Sequence, residues 1–253
     1  MITLASDFGA PYPAAVRGVI ARTTTSRIID ISHDFPRQDV RTAAFWLKEL
    51  LVTFPPAVHC AVVDPGVGTD RAALVIRAGS HALVGPDNGL LLPAARALAD
   101  TIEPFKWTID DPDSATFHGR DVFAPAAARI DTVGVSAIEE LEPVCPVDSV
   151  VDYQFPEPTI EDGRASGEIL IVDNFGNAVT NIPGEMVPIA PGSSLRVNGQ
   201  PVPFERSYAH CPRETSLVTV GSHGNLELAV NQGRGDEAFG VNPTTPVTIK
   251  WAD

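Results

Sequence analysis

The sequence predicts an α/β fold in which a mostly parallel sheet, flanked by helices, precedes a smaller antiparallel, barrel-like β domain. In the first 150 residues, apolar runs of strand length alternate with helical segments, which is typical of a parallel sheet covered on both faces. A segment rich in proline and charge follows, and after it come only short strands and turns. We therefore expect an N-terminal domain over 1–151, a linker over 152–166 and a C-terminal domain over 167–253.

Each N-terminal element is predicted from hydrophobic periodicity. The clearest helix covers 38–52, where apolar residues recur three or four positions apart, and short apolar runs that end at turn residues indicate strands. In chain order we expect strands at 2–7, 27–31, 57–63, 72–77 and 81–84, and helices at 14–22, 38–52, 88–99 and 121–131. The C-terminal part has no convincing helix, and its expected strands are 167–172, 178–182, 194–198, 216–220, 225–230 and 246–251.

The composition excludes several classes of protein. The net charge of −14 argues against binding nucleic acid through a basic surface, and no apolar run approaches the ~20 residues that span a membrane. The chain enters a strand without a basic leader, so we expect no signal peptide. Three widely spaced cysteines indicate a reducing, cytoplasmic location. An acidic surface poor in lysine suits a halophilic cytoplasm, and equally an ordinary acidic protein from a GC-rich genome.

Catalytic chemistry is indicated at the turn V-V-D-P-G-V-G-T-D-R, residues 62–71. Asp64 follows a predicted buried strand, and Arg71 follows seven residues later on a glycine-rich turn, which is where open α/β sheets place their chemistry. The cluster T-F-H-G-R-D at 116–121 adds His118, so the three groups could position and deprotonate a water. The alternatives are a structural Asp64–Arg71 ion pair, an ordinary histidine and, for Asp7 after the first strand, a helix N-cap.

No cofactor or metal is expected. The glycine turn lacks the third glycine of a dinucleotide fingerprint, and no lysine loop for phosphate is present. The six histidines show no metal-ligand spacing. The acidic run at 110–113 could hold a divalent ion, although a solvated loop explains it as well.

Two polar segments of the second domain suggest recognition of a base. In V-D-N-F-G-N-A-V-T-N-I at 172–182, Phe175 can stack on a base, and Asn177 can donate and accept at the Watson–Crick edge of adenine. The segment at 220–233 adds Ser222 and Asn231. The alternative is a polar hairpin with a core phenylalanine.

Taken together, these motifs resemble the S-adenosylmethionine hydroxide adenosyltransferases, relatives of the fluorinase and chlorinase enzymes. The matching blocks, in the family's order, are S-D-F-G at 6–9, V-D-P-G-V-G at 63–68, G-P-D-N-G at 85–89, F-H-G-R-D at 117–121, D-N-F-G-N-A-V-T-N-I at 173–182 and G-S-H-G-N-L-E-L-A-V-N-Q-G at 221–233. The resemblance implies a homotrimer whose substrate lies between the N-terminal domain of one subunit and the C-terminal domain of its neighbour.

The resemblance also implies roles for individual residues. Asp7 would bind the ribose diol, and Asp64, Arg71 and His118 would activate water. The resemblance assigns further residues to substrate binding: Phe175 and Asn177 at the adenine, Asp173, Ser222 and His223 at the methionine end, and Phe117 and Asn231 without a specified role. Two departures stand out. The loop after S-D-F-G is about two residues short, and Gln38 replaces an aromatic residue near the reacting carbon.

The expected reaction is hydrolysis of S-adenosyl-L-methionine to adenosine and L-methionine by in-line attack of water at the ribose C5′. His118 or Asp64 would accept the proton. Asp64 stands where halogenating relatives carry a tyrosine, and Gly119 stands where the fluorinase carries a serine, which favours water over halide. The alternatives are a chlorinase-like halogenase and a non-catalytic protein that binds adenosine or S-adenosylmethionine.

Overall fold

The computed structural model describes residues 1–109, 113–147 and 149–251, and the chain divides into two compact units, Met1–Gln154 and Phe155–Asp253. Most of the acidic run at 110–113, considered above as a metal site, lies outside the described residues. Each unit has its own sheet and its own hydrophobic core.

The first unit alternates strands and helices much as its sequence predicts. Its strands are β1 (Ile2–Ser6), β2 (Ile28–Ser32), β3 (Val58–Val62), β4 (Ala73–Ala78), β5 (His81–Pro86), β6 (Ile102–Trp107) and β7 (Val144–Pro146). Its helices are α1 (Tyr12–Ile20), α2 (Val40–Leu51), α3 (Leu92–Leu98) and α4 (Ala124–Val133), with a π-helical turn at Gly119–Phe123 and a 3₁₀ turn at Val135–Glu140.

The sheet of the first unit has the order β2-β1-β3-β5-β4-β6-β7. Four neighbouring strands, β2, β1, β3 and β5, are parallel to one another, which confirms the predicted α/β class. The remaining strands, β4, β6 and β7, pair antiparallel with their neighbours. Only Gly79 and Ser80 separate β4 from β5, and a two-residue connection permits a hairpin but no parallel crossover. Gly79 takes the positive φ of 58° that this tight turn requires.

Both faces of this sheet are covered. Ile2 and Leu4 of β1 share a buried cluster with residues of α1 and α4. The alternate residues Thr3 and Ala5 point to the other face and are equally buried, and α2 and α3 pack against each other.

The parallel register brings two predicted site residues to one edge of the sheet. Ser6 at the end of β1 pairs with Val62 at the end of β3, so Asp7 and Asp64 both follow their strands at the carboxyl end. Open α/β sheets bind their ligands at this edge. The π-helical turn, which begins directly after His118, packs against β3 and β5 and leads into α4.

The second unit is a closed barrel of seven strands with one added strand. Its strands are β8 (Thr159–Glu161), β9 (Arg164–Val172), β10 (Ala178–Pro183), β11 (Ser193–Val197), β12 (Gln200–Phe204), β13 (Ser216–Val220), β14 (Asn225–Val230) and β15 (Pro246–Lys250). The pairing of β10 with β9 closes the ring, and β8 is attached outside it. Among the strands of this unit that the structure describes, only β12 and β13 pair parallel. These findings confirm the barrel-like β domain.

The second unit differs from its prediction in three places. β8 and the first residues of β9 lie within the segment predicted as a linker, 152–166, so part of that segment is strand. β12 was not expected because its sequence, Q-P-V-P-F, carries two prolines, which cannot donate to a sheet ladder. A five-residue helix, α5 (Gly235–Phe239), forms where no helix was expected.

Candidate active site

Asp64 and Arg71 form a buried, bidentate ion pair at the carboxyl edge of the first unit's sheet. The Arg71 Nε lies 3.1 Å from Oδ1 and 3.0 Å from Oδ2 of Asp64, and Nη2 also donates to Oδ2. Both side chains are at most 9% exposed. The turn between them is held by its main chain, because Val67 donates to the Asp64 carbonyl and Thr69 to that of Gly66. The pair therefore has a fixed geometry.

His118 completes this group, as the sequence predicts. Its Nδ1 lies 3.0 Å from Nη2 of Arg71. Since a guanidinium can only donate, Nδ1 must accept, and the neutral ring then carries its proton on Nε2. Burial and the neighbouring Arg71 charge lower the pKa of His118 against the opposing effects of Asp64 and Asp121. The imidazole is therefore held neutral, with an N–H on its far side.

The π-helical turn positions both His118 and an aromatic support for Arg71. Phe123 closes this turn, is fully buried, and lies with its ring centroid 4.9 Å from the Arg71 guanidinium carbon. Guanidinium groups are attracted to aromatic faces at this distance. An ion pair, an imidazole and an aromatic ring thus restrain Arg71 from different sides.

A cavity of about 440 Å³ reaches this group from the side of β4 and β6. Arg71 and the buried His118 line it together with exposed residues such as Thr108 and Ala115. Solvent can therefore approach two of the three predicted catalytic side chains.

Asp7 lies at the same sheet edge and is held by the main chain. Its Oδ2 accepts from the Gln38 amide at 2.7 Å, and Gln38 adopts the left-handed backbone conformation, with φ of 61°. The N-cap interpretation of Asp7 is wrong, because α1 begins after Pro11 and has no side-chain cap. No residue that the structure describes donates to Oδ1 of Asp7, so this oxygen can accept from another donor, such as a hydroxyl.

Phe117 belongs to an aromatic group next to His118. Its ring meets those of Phe8 and Tyr12 edge-on at centroid distances of 5.6 and 5.5 Å, and the Arg120 guanidinium carbon lies 5.1 Å from its centroid. A Cβ added at Gly119 would come within 2.6 Å of the Phe8 ring. The position after His118 therefore has no room for a side chain unless Phe8 moves.

In the second unit, Asp173 organises the loop between β9 and β10. Its Oδ1 accepts from the main-chain amides of Phe175 and Asn177 at 2.9 and 2.8 Å. This turn presents Phe175 with 79% of its surface exposed, so the interpretation as a core phenylalanine is wrong. An exposed aromatic ring on an ordered turn can stack on a planar ligand.

Ser222 and His223 lie on the turn between β13 and β14. Ser222 is exposed, whereas the His223 side chain is buried and donates from Nε2 to Oε1 of Glu227 at 3.0 Å. The amide of Asn225 donates to the other ring nitrogen at 3.2 Å. The imidazole is therefore oriented by the turn itself.

Asn231 and the neighbours of Asn177 have partners within the barrel. Asn231 donates from Nδ2 to the Cys211 carbonyl at 2.8 Å. Thr180 donates to the Leu226 carbonyl, and Asn181 donates to the Pro156 carbonyl and accepts from the Glu168 amide. These side chains hold strands and loops together.

Tyr208 and Glu227 also belong to this part of the barrel and were not predicted from the sequence. The Tyr208 hydroxyl donates to Oε2 of Glu227 at 2.7 Å and accepts from Nδ2 of Asn177 at 3.3 Å. One signal was available for Glu227, since it is a charged residue within the apolar strand sequence N-L-E-L-A-V of β14. Such a residue is rarely buried unless it has a partner.

Among the described residues, no group of three or more histidine, cysteine, aspartate or glutamate side chains is arranged to hold a metal ion. None of the described helices has both the length and the apolar character needed to cross a membrane.

Comparison with known proteins connects both units to one family. The SAM hydroxide adenosyltransferase N-terminal domain matches residues 2–141, and the C-terminal domain of the same family matches residues 167–248. A Salinispora tropica protein named (R)-S-adenosyl-L-methionine hydrolase is 41% identical over 249 residues, covering 96% of this chain and 94% of its own length. A Thermus thermophilus protein of the same name is 40% identical over 263 residues, covering 96% and 97%.

Solved structures agree with this relationship. The crystal structure of an uncharacterized conserved protein from Thermotoga maritima matches with a TM-score of 0.85 and 32% identity, covering 99% of this chain and 100% of that one. A conserved hypothetical protein from Thermus thermophilus matches with a TM-score of 0.77 and 36% identity, covering 99% of both chains.

Proposed function

Because the chain belongs to the SAM hydroxide adenosyltransferase family, we propose that it hydrolyses S-adenosyl-L-methionine to adenosine and L-methionine. The oxygen of one water forms a bond to the ribose C5′ while the C5′–S bond breaks. The bonding pair leaves with sulfur, so methionine departs as a neutral thioether and needs no acid. The buried Asp64–Arg71–His118 group carries this proposal, because removal of the water's proton is the difficult step.

The hydrogen-bond directions favour Asp64 over His118 as the proton acceptor. His118 Nδ1 is occupied by Arg71, and Nε2 already carries a proton. Oδ1 of Asp64 accepts only one of the three Arg71 contacts and keeps a lone pair for water. In this scheme His118 donates from Nε2 to the water oxygen, and Arg71 holds the charge. A positioned base typically contributes ~10²–10⁴-fold.

The same group disfavours a halide nucleophile. A carboxylate about 4 Å from a halide would cost roughly 4 kcal/mol at an effective dielectric of 20, and the Arg71 charge reduces this penalty. A serine at Gly119, where the fluorinase supplies a hydroxyl, would collide with Phe8. Hydrolysis therefore fits these residues better than halogenation.

We propose that the substrate is held by side chains from both units. Asp7 binds the ribose diol and Phe117 lies beside the ribose. Phe175 stacks on adenine, and Asn177 contacts its edge. The methionine end is held by Asp173 and Ser222. His223 contributes by holding the turn that carries Ser222, because Glu227 and the Asn225 amide occupy both of its ring nitrogens. Asn231 contributes by holding the Cys211 loop rather than by direct contact.

We further propose a cytoplasmic homotrimer in which each site combines the first unit of one copy with the second unit of its neighbour. The family resemblance supports the assembly, and the free cysteines Cys60, Cys145 and Cys211 suit a reducing compartment. The acidic surface is compatible with a halophilic cytoplasm. Equilibrium sedimentation, with a monomer of 26.9 kDa, tests the trimer.

The activity is tested by incubating the full chain with S-adenosyl-L-methionine in ¹⁸O-labelled water and measuring the mass of the adenosine produced by mass spectrometry. Both sulfonium epimers are assayed separately, because the relatives are named for the (R) form. We expect one ¹⁸O per adenosine and no product from Asp64→Asn. The matched control is Asp70→Asn, which changes an exposed carboxylate on the same turn and should act normally.

Two results would overturn the hydrolase proposal. Formation of 5′-chloro-5′-deoxyadenosine in chloride buffer, in place of labelled adenosine, would make the chain a halogenase. Tight binding of the substrate with no product after long incubation would make it a binding protein.

A further inference from the structure

We propose that Tyr208 and Glu227 are positioning residues that fix the side-chain amide of Asn177 with its carbonyl oxygen toward the ligand, so that the site selects a 6-amino purine over a 6-oxo purine. The inference rests on the proposed function only in taking Asn177 as a contact to the base.

The first step is the identity of the Asn177 atom that faces Asp173. Asp173 Oδ1 already accepts two main-chain amides, and its Oδ2 lies 3.0 Å from the Asn177 amide group. A carboxylate oxygen can only accept, so the Asn177 atom at this contact must be Nδ2. The contact therefore assigns the orientation of the Asn177 amide.

The second step is the use of the other Nδ2 proton. Nδ2 also lies 3.3 Å from the Tyr208 hydroxyl oxygen. The Tyr208 hydroxyl donates its one proton to Oε2 of Glu227 at 2.7 Å. Its oxygen can therefore only accept from Asn177. Replacing this acceptor would leave one amide proton of Asn177 without a partner.

Glu227 sets the direction of the hydrogen bonds that run from Asn177 through Tyr208 to its carboxylate. It is 5% exposed and accepts from Tyr208 at one oxygen and from His223 at the other. Burial acts to raise its pKa, but the hydrogen bonds from His223 and Tyr208 lower it below its usual value. A buried carboxylate offers acceptors alone, so Tyr208 cannot reverse its hydroxyl without losing this bond.

The consequence is that Asn177 offers its surroundings an acceptor and no donor. Both amide protons are used, and Oδ1 has no protein partner among the described residues; it is also not among the buried atoms that lack one. An outward acceptor pairs with the exocyclic amine of adenine and repels the 6-oxo oxygen of hypoxanthine. Phe175, exposed two residues earlier, stacks on either base without distinguishing them.

The test is calorimetric binding of adenosine, inosine and purine riboside to the full chain. We expect adenosine to bind roughly 10- to 100-fold tighter than inosine, with purine riboside between them, because a mismatched buried hydrogen bond costs about that factor. In Tyr208→Phe the adenosine-to-inosine ratio should fall at least threefold. With S-adenosyl-L-methionine, KM should rise while kcat stays within about twofold, which a general loss of structure would not produce.

Two further variants make the result specific. Ser207→Ala removes a hydroxyl that contacts His210 in the same turn, and it should keep the wild-type ratio. Glu227→Gln replaces one of the two carboxylate acceptors by a donor, so it should lower the adenosine-to-inosine affinity ratio as Tyr208→Phe does. It takes the place of Tyr208→Phe in the test if that variant does not fold.

The inference is overturned if the wild type does not prefer adenosine to inosine, or if Tyr208→Phe and Glu227→Gln retain the wild-type ratio. Binding needs no turnover. A chain that binds adenosine selectively without hydrolysing the sulfonium would therefore contradict the proposed function and leave this inference standing.

Discussion

Nδ1 of His118 accepts a hydrogen bond from Nη2 of Arg71 at 3.0 Å, and this contact couples the protonation of the imidazole to the geometry of the proposed catalytic group. Adding a proton to Nδ1 would break the bond and place two cations side by side. Because burial and Arg71 lower the pKa of His118 from 6.5, the neutral form persists to more acidic pH than in a free histidine.

We therefore expect kcat/KM to be constant near neutrality and to fall with decreasing pH only at a midpoint below 6.5. A pH–rate profile measures this midpoint. In His118→Asn, whose amide oxygen can replace Nδ1 as acceptor, this acid limb should disappear while some activity remains. A midpoint at or above 6.5 in the wild type would contradict the assignment.

Arg71→Lys should lower kcat by roughly 100-fold or more and change the affinity for substrate little. A lysine carries the charge but cannot make the bidentate contact with Asp64 while also donating to His118. Steady-state kinetics measure the effect. Arg96→Lys, which alters an exposed pair with Asp152, is the matched control and should be silent. Equal activity of Arg71→Lys and wild type would show that the fork geometry is dispensable.

Gly119→Ser should impair the enzyme without creating a halogenase. The added Cβ would approach the Phe8 ring to 2.6 Å and displace the edge-on contact between Phe8 and Phe117. We expect a lower melting temperature, reduced hydrolysis and no halogenated nucleoside in chloride or fluoride. Halogenated product would show instead that a hydroxyl at this position is sufficient.

A buried pair of histidines predicts acid sensitivity of the first unit. His59 forms two hydrogen bonds, one between its Nδ1 and the Thr3 hydroxyl at 2.8 Å and one between its Nε2 and Nδ1 of His81 at 2.9 Å. Burial and the neighbouring His81 lower the pKa of His59 from 6.5 to about 3. The folded state thus binds fewer protons than the unfolded chain, so this stability is complete above pH 6.5 and is lost as pH falls toward 3.

From this shift we expect His59 alone to remove about 2–3 kcal/mol of unfolding free energy between pH 7 and pH 4.5. Urea unfolding at the two pH values, compared with His59→Gln, isolates the contribution. The variant should lose the extra pH dependence, whereas His210→Gln, at an exposed position, should keep it. Identical pH dependence in wild type and His59→Gln would refute the argument.

The sequence predicted the elements that bury regular apolar patterns and missed those that depend on tertiary pairing. The strand Val58–Val62 could be predicted because its sequence, V-H-C-A-V, is mostly apolar, and in the structure every residue of it is buried. The strand Ile102–Trp107, which lies between β4 and β7, has an interior proline and exposed charges, so no local pattern marks it. Its pairing with β4 forms the strand.

The same distinction applies to the site. Asp64 and Arg71 are seven residues apart on a recognisable turn, so their pairing could be predicted. Tyr208 reaches Asn177 and Glu227 across sequence separations of 31 and 19 residues. Only the barrel brings these side chains together, so the orientation of the Asn177 amide could not be inferred from the chain alone.

The contact between the Gln38 amide and Asp7 has a consequence for substitutions at position 38. Since the donor is a peptide nitrogen, substitution of the side chain at position 38 leaves it in place, and only proline would remove it. This contact can form with any residue at position 38 that tolerates a positive φ, such as asparagine and glycine, whereas β-branched residues carry a conformational cost. The contact with Asp7 therefore constrains the backbone conformation at position 38 and places no demand on its side chain.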